Sequence, residues 1–534
     1  MAVRSTSDLS GCAARKAAIT FRARSVRKLG HARLFTSPLF CFLIAITASA
    51  NESIRLTILS DESTTPIPCR IHLKDSDNKP IRPLGLPFWN DHFVCTGAVS
   101  LNLQPGKYSY EIELGPEYSS VANDFTVEQN HPLALTNYLR RIVDLSKEGW
   151  WSGELHVHRP LTDIELLMQA EDLHVAPVIT WWNKNNLWRE HSATNLTIQF
   201  DTNRFYNVMG GEDERAGGAL LYFNLEKPLD ITGAQYEFPS PMKFLTEARR
   251  HSNVWVDIEK PFWYNVPVWL ASGQIDSIGI ANNHMYRSGV YPDEAWGRAR
   301  DTRRLAGAHG NGFWTQEIYY HMLNTGIRLP PSAGSASGVL PNPVGYNRAY
   351  VHVDGPLTYE KWLAGLKAGQ VFVSNGPLLR VHANNELPGH VFKFQKGEML
   401  KVKIDALLDA NDSLGPVQVI QNGKIVKSVC GCDWNNGASP LGEITFDESG
   451  WFLVCALTEV SETFRFASTG PFHVERADAP KRISKSSAQF FLDWVRERMQ
   501  RVKVDNANER EEVLRYHRDA ERFWEDKVAQ ANAE

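Results

Sequence analysis

At 534 residues the chain exceeds what a single hydrophobic core sustains, and 43% hydrophobic with 22% charged residues is the balance of a globular protein. A net charge of −4 excludes the basic footprint that binding to nucleic acid or to an anionic membrane would require. The 16 tryptophans, many of them between Trp150 and Trp362, either fill a core or line a ligand cleft.

Residues 1–33 are basic, with Arg4, Arg15, Lys16, Arg22, Arg24, Arg27, Lys28 and Arg33 against the single acid Asp8. An apolar run from Leu39 to Ile46 follows, then Ala48-Ser49-Ala50. This order predicts a secretory signal over 1–50, a mature chain starting near Asn51, and a periplasmic or extracellular location. The apolar run is short for a bilayer, so no stable membrane insertion is expected after cleavage; a retained anchor is the alternative. Cleavage would remove Cys12 and Cys41 and leave Cys69, Cys95, Cys430, Cys432 and Cys455, an odd number. At least one thiol is then unpaired within the chain, and Cys69 and Cys95 are either bridged or buried as free thiols. Cys430-Gly431-Cys432 lacks the second pair that a structural zinc site needs.

From 51 to 144 the chain reads as all-β. Ile54, Leu56 and Ile58, then Ile71 and Leu73, then Tyr108, Tyr110, Ile112 and Leu114 alternate with period two, which predicts a small sandwich. Over 145–390 the texture turns to strands alternating with helices, the signature of a parallel α/β barrel or doubly wound sheet. Thr162-Asp163-Ile164-Glu165 has the spacing of a helix capping box there, and Asp163 is a further ligand by position or a helix cap. A second sandwich is expected over 391–477, where Asn422-Gly423 marks a hairpin. Over 478–534 two helices are expected. Phe491, Trp494, Val495 and Met499 share one face, and Val513, Leu514, Phe523 and Trp524 serve the second helix.

Trp151-Ser-Gly-Glu-Leu-His156-Val-His158 is the sharpest local signal. On a strand, residues i and i+2 point the same way, so His156 and His158 present two imidazoles to one side, a common beginning for a zinc, iron or manganese site. Surface strands also carry such pairs by chance.

This segment resembles the first motif of the PHP (polymerase and histidinol phosphatase) superfamily, Gly-Asp-Leu-His-x-His. The CehA/McbA, carbaryl-hydrolase-like, branch is similar at the far end as well: Arg348-Ala-Tyr350-Val351, a helix over Leu357 to Ala368, then Gly369-Gln-Val-Phe-Val-Ser374-Asn375-Gly376-Pro377. The segment over 51–144 in turn resembles carboxypeptidase-regulatory-type modules. The resemblance implies a distorted β/α barrel flanked by two β-sandwiches and a helical tail. Glu212, in Gly210-Gly211-Glu212, matches the family's glutamate, as a ligand or as part of an acidic loop. His284, after Ile275 to Asn283, is a third imidazole or a loop histidine. Asn282 and Trp182 fall at strand ends where substrate binds, and Arg348 reads an anionic group or forms a structural salt bridge.

Three departures thin the site. Trp181-Trp182-Asn183, Glu259-Lys260-Pro261 and Gly334-Ser335-Ala336-Ser337-Gly338 stand where the family has Asp-His, His-Pro and Gly-Ser-Asp-Ser-His. A single divalent ion (zinc, manganese or iron) held by His156, His158 and Glu212 or His284 is the expectation, with Glu259 or Glu212 as general base. Restoring the lost carboxylate and imidazole at Ala336 and Gly338 is expected to recruit a second ion. The implied function is an exported hydrolase of an ester, amide, carbamate or phosphoester. The alternative is a catalytically inactive relative that binds a small molecule or glycan. No pattern speaks to oligomeric state.

Overall fold

A computed structural model of the protein describes residues 52–190, 192–434, 439–479 and 481–534. The expected export signal, with Cys12, Cys41 and the start near Asn51, lies outside the described residues. The chain is mixed α/β and rich in strands, with several sheets and a C-terminal pair of helices.

Period-two alternation organises the N-terminal part. Glu52–Ser60 buries Ile54, Leu56 and Ile58 on one face and pairs with Ala98–Leu103 antiparallel and Leu133–Leu139 parallel. A five-stranded sheet faces it, built on Cys69–Asp75, His92–Cys95 and Gly106–Glu113, and the two sheets close on one core that includes Ile71, Leu73, Phe93 and Ile112. Cys69 and Cys95 lie opposite each other on paired strands with their sulfurs 3.8 Å apart, as buried free thiols. Cys430 and Cys432, by contrast, are joined in a disulfide.

The middle of the chain alternates as expected. Trp150–Gly153, Val175–Trp182 and Arg204–Arg215 are successive parallel neighbours, and Trp255–Ile258, Ser277–Ala281 and Pro331–Ala333 form a second parallel run. Gly218–Phe223 joins the two runs by antiparallel pairing, and Arg348–His352 returns antiparallel to Trp150–Gly153. Helices precede the later strands of these runs: Ile164–Ala170, Pro241–Ala248, Val266–Ala271 and His309–Asn324. All six parallel strands point their C-terminal ends the same way, and that edge is where open α/β sheets and barrels bind ligands. The capping box does not form. A 3-10 turn over Leu161–Asp163, begun by Pro160, supplants it, and Asp163 caps no helix N–H but faces Arg159 at 3.7 Å.

Sheet pairing continues into the C-terminal β region, since Val371–Ser374 pairs with Phe466–Thr469. The apolar core of that region begins with Leu379, Val381 and Ala383, ahead of the expected boundary at 391, because Leu378–Ala383 pairs with Leu400–Asp409. Asn422 (φ 50°) and Gly423 (φ 82°) turn the expected hairpin; two consecutive positive φ values suit the right-handed twist of its strands.

The tail forms two helices, Lys485–Arg501 and Ala507–Ala529, capped by Ser484, whose hydroxyl accepts from the Ser487 N–H, and by Asn506, whose side chain accepts from Asn508 and Glu509. Phe491 stacks on Trp524 with ring centroids 4.7 Å apart, and the Trp524 indole donates to the carbonyl of Pro267. Burying a side chain of Phe491's size stabilises by roughly 1.5–3 kcal/mol. The tail is therefore packed onto the α/β region through Trp524 and the helix Val266–Ala271.

Candidate metal centre

Both histidines of the His-x-His motif follow the strand Trp150–Gly153, in extended chain where Val157 bridges Val178 and Ser337. Extended backbone sends Val157 into the core and both rings to the other side. Nε2 of His156 and Nε2 of His158 are 2.9 Å apart, and Oε2 of Glu212 lies 3.4 Å from the first and 3.1 Å from the second. Ligand atoms held at roughly 2.0–2.2 Å from a first-row divalent ion are themselves about 2.9–3.5 Å apart, so the three separations fit a metal. His156 and Glu212 are buried, and Glu212 Oε2 has no aligned hydrogen-bond donor, a deficit that a cation would remove.

Each neighbour adds to this arrangement. Glu259, just beyond Trp255–Ile258, places Oε1 3.3 Å from Nδ1 of His156, on the far side of the ring from Glu212. Its other oxygen accepts from the Trp263 indole at 2.9 Å and from Lys260. Burial alone would lower the His156 pKa, but Glu212 and Glu259 push it up to about 10. Burial alone would raise Glu212, yet His156 and His158 hold it well below the ordinary carboxylate range. His158 is lowered by burial, which outweighs its contact with Glu212.

The triad opens into a cleft of about 170 Å³ walled by Trp182, Trp263, Tyr291 and Trp296, with Glu214, Lys260, Asn283 and His284 as polar lining. Trp182, at the end of Val175–Trp182, meets His158 edge-on at 4.9 Å. The other expected residues fall elsewhere. His284 lies outside the triad, stacked on Tyr291 at 4.6 Å and tilted against Phe262. Asn282 accepts from the His284 N–H and is turned into the protein, so its neighbour Asn283 is the residue that reaches the cleft. Glu259 stands behind His156, with Oε2 held by Lys260 and Trp263 and Oε1 facing Nδ1 of the ring. Arg348 donates to the carbonyls of Gly345 and Glu171 and lines a different cleft beside Arg70, Arg287 and Arg465.

Three residues of the site escaped the reading of the sequence. Glu214 lies two positions after Glu212 on one strand, and period two alone puts both on the cleft face while Asp213 pairs with Arg215 behind. Burial and the charge of Glu212 push Glu214 up to about 7. Glu154, inside the His-x-His segment, accepts from Ser335 and is pushed up to about 8 by burial. Lys260 ion-pairs with Glu259 and sits 4.4 Å over the Trp263 ring.

The loop that has lost its Asp and His packs directly on the histidines. A side chain at Gly338 (φ 102°) would put its Cβ 2.5 Å from the His158 carbonyl oxygen, and one at Gly334 would meet the His156 Cβ at 2.5 Å. Placing histidine at Gly338 to recruit a second ion is therefore excluded by backbone contact, contrary to the expectation above.

No protein-family model matches the chain, and no curated protein matches it. Two solved structures are similar to it. One is an engineered protein, 11% identical over 57% of this chain and 49% of that one, with a TM-score of 0.13. The other is the beta-glucuronidase of Parabacteroides merdae, 9% identical over 78% of this chain and 61% of that one, with a TM-score of 0.17. The matched part thus spans about half of the first relative's length and 61% of the second's, and at these TM-scores neither likeness carries an argument.

Proposed function

We propose that the protein is an exported metal-dependent hydrolase of the PHP type, built on a distorted β/α barrel, with one divalent ion (zinc, manganese or iron) held by His156, His158 and Glu212. The observation that carries this reading is the triangle of buried ligand atoms 2.9, 3.1 and 3.4 Å apart at the C-terminal edge of the parallel strands. When bound, such an ion supplies Lewis-acid polarisation of a carbonyl or phosphoryl oxygen and acidifies a coordinated water.

The chain's own residues divide the remaining work. The Glu259 carboxylate, 3.3 Å from Nδ1 of His156, favours the tautomer protonated there, which leaves Nε2 free as a ligand. Glu214, on the cleft face two residues beyond Glu212, is the carboxyl group placed to take a proton from the attacking nucleophile and return it to the leaving group. Trp182, Trp263 and Trp296 give the cleft apolar walls against which a substrate packs. An ester, amide, carbamate or phosphoester meets these requirements.

The same aromatic walls favour a second reading, a binding module for a small molecule or glycan that has kept the cleft without the chemistry. Metal analysis of the purified chain, followed by assay against p-nitrophenyl esters and phosphates, decides between them. Bound metal with turnover that chelation abolishes supports the hydrolase; a stable, metal-free, inert protein supports the binding module.

A further inference from the structure

A second cluster lies in the N-terminal β region. Strand Cys69–Asp75 pairs antiparallel with His92–Cys95, with Cys69 opposite Cys95 and Ile71 opposite Phe93, a register that carries on to set His72 opposite His92. The tight turn at Asn90 (φ 50°) and Asp91, between Phe88–Trp89 and His92–Cys95, delivers a carboxylate beside both rings. Asp91 Oδ2 is 3.2 Å from Nδ1 of His72, and Asp91 Oδ1 is 3.2 Å from Nδ1 of His92. Both histidines are at least nine-tenths buried, at 4% and 2% exposure, while Asp91 is 29% exposed and leaves a way in.

We propose that His72, Asp91 and His92 form a second divalent-metal site, of the kind that suits zinc. Two imidazole nitrogens and a carboxylate are ligands of a late first-row ion, and separations of 3.2 Å fall within the roughly 2.9–3.5 Å that such an ion imposes. Hydrogen bonding satisfies the His92 contact, whose Nδ1 and Asp91 Oδ1 are in bonding geometry, but not the His72 contact. Nδ1 of His72 is buried without an aligned hydrogen-bond partner, a deficit that an ion in place of its proton would remove.

Binding the ion would move the His72 proton from Nδ1 to Nε2, which faces Glu113 Oε2 at 3.3 Å, a carboxylate behind the ligand as in other histidine metal sites. Without an ion, Arg70 Nε donates to that nitrogen at 3.1 Å, a bond that the ion would displace, while the two terminal nitrogens of Arg70 keep Glu113 and Glu171. Val94, two residues from His92, packs with Ile164 and Met168 of the first α/β helix. The ion would thus pin the Asn90–Asp91 turn to its sheet at the face that meets that helix.

The test uses the full chain carrying His156→Ala and His158→Ala, so that the cleft contributes no metal. Stripped with chelator, loaded with zinc and dialysed, it is expected to retain one zinc per chain, and zinc should raise its thermal midpoint by several degrees. Folded protein that retains none and shows no zinc-dependent shift overturns the proposal. Adding His92→Gln should abolish retention, and zinc kept by that variant also overturns it. If His92→Gln does not fold, X-ray absorption of the zinc-loaded parent takes its place: two imidazoles in the first shell support the site, and sulfur ligands or none refute it. The cleft reading is tested apart, because wild type should hold two ions. One ion in wild type and none in the double variant sinks this site alone; one in each sinks the cleft site alone.

Discussion

Nδ1 of His156 faces Oε1 of Glu259 at 3.3 Å while Nε2 of the same ring faces Glu212 at 3.4 Å, so one imidazole is held between two buried carboxylates. The outer carboxylate tunes the ligand and also neutralises Lys260. Glu259→Gln should therefore weaken metal affinity by roughly 10–100-fold and destabilise the fold by about 3–5 kcal/mol, because Lys260 is left buried without its partner. Competition against a chelator and urea unfolding measure the two effects separately. Unchanged values in both would remove Glu259 from the site.

His156→Ala and His158→Ala should each release the cleft ion and leave far-ultraviolet circular dichroism unchanged. His284→Ala should keep it, since that ring stacks on Tyr291 outside the ligand triad. Loss of cleft metal in His284→Ala would show that the triad is incomplete without a fourth residue.

Glu214→Gln should lower hydrolytic kcat by roughly 10²–10⁴-fold while metal content and thermal midpoint stay at wild-type values. A parallel loss of metal would make Glu214 a ligand instead. Steady-state kinetics on whichever p-nitrophenyl substrate is turned over, with metal analysis of the same sample, separates the roles.

What could be read in the sequence follows from how far each relationship reaches along the chain. His156, His158 and Glu212 were legible because a two-residue period and short motifs are local; Glu214 escaped although the same period carried its signal. Asn282 and Asn283 differ by one position at a strand end, where a turn decides which side chain faces out. Arg348 was misplaced because its partners, the carbonyls of Gly345 and Glu171, come together only through tertiary packing. Register between strands likewise hid the His72–Asp91–His92 cluster. The helix periodicity of the tail was strong enough to place Phe491 and Trp524 in the core, but not to show that the Trp524 indole reaches Pro267.

Gly338→Ala should be disruptive out of proportion to its size. At φ 102° an added methyl is strained, and its Cβ would fall 2.5 Å from the His158 carbonyl. The variant should lose about 1–3 kcal/mol of stability by that strain and bind the cleft ion more weakly, because His158 must move. Equal stability and equal zinc affinity in wild type and variant would contradict the close packing of this loop.

His517, in the second tail helix, is buried, with Nδ1 3.1 Å from the Val513 carbonyl and Nε2 without a partner. Burial, reinforced by Arg498, lowers its pKa to about 4, against about 6.5 in an unfolded chain. The folded state thus binds fewer protons than the unfolded state between these values, so stability rises with pH across the window. His517 contributes its full stability above about pH 6.5, and that contribution is lost progressively as the pH falls to about 4. At about 1.4 kcal/mol per pH unit the loss amounts to about 3 kcal/mol. His174 and His473 are lowered by burial in the same way, so an acid-sensitive wild type proves nothing about this residue. The difference between wild type and His517→Leu does, since leucine fills the site without a titrating group. Urea unfolding from pH 7 to pH 4 should show the advantage of wild type over the variant shrinking by about 3 kcal/mol. A difference that stays constant across that range would mean that His517 is not buried neutral, and that the tail packs differently around it.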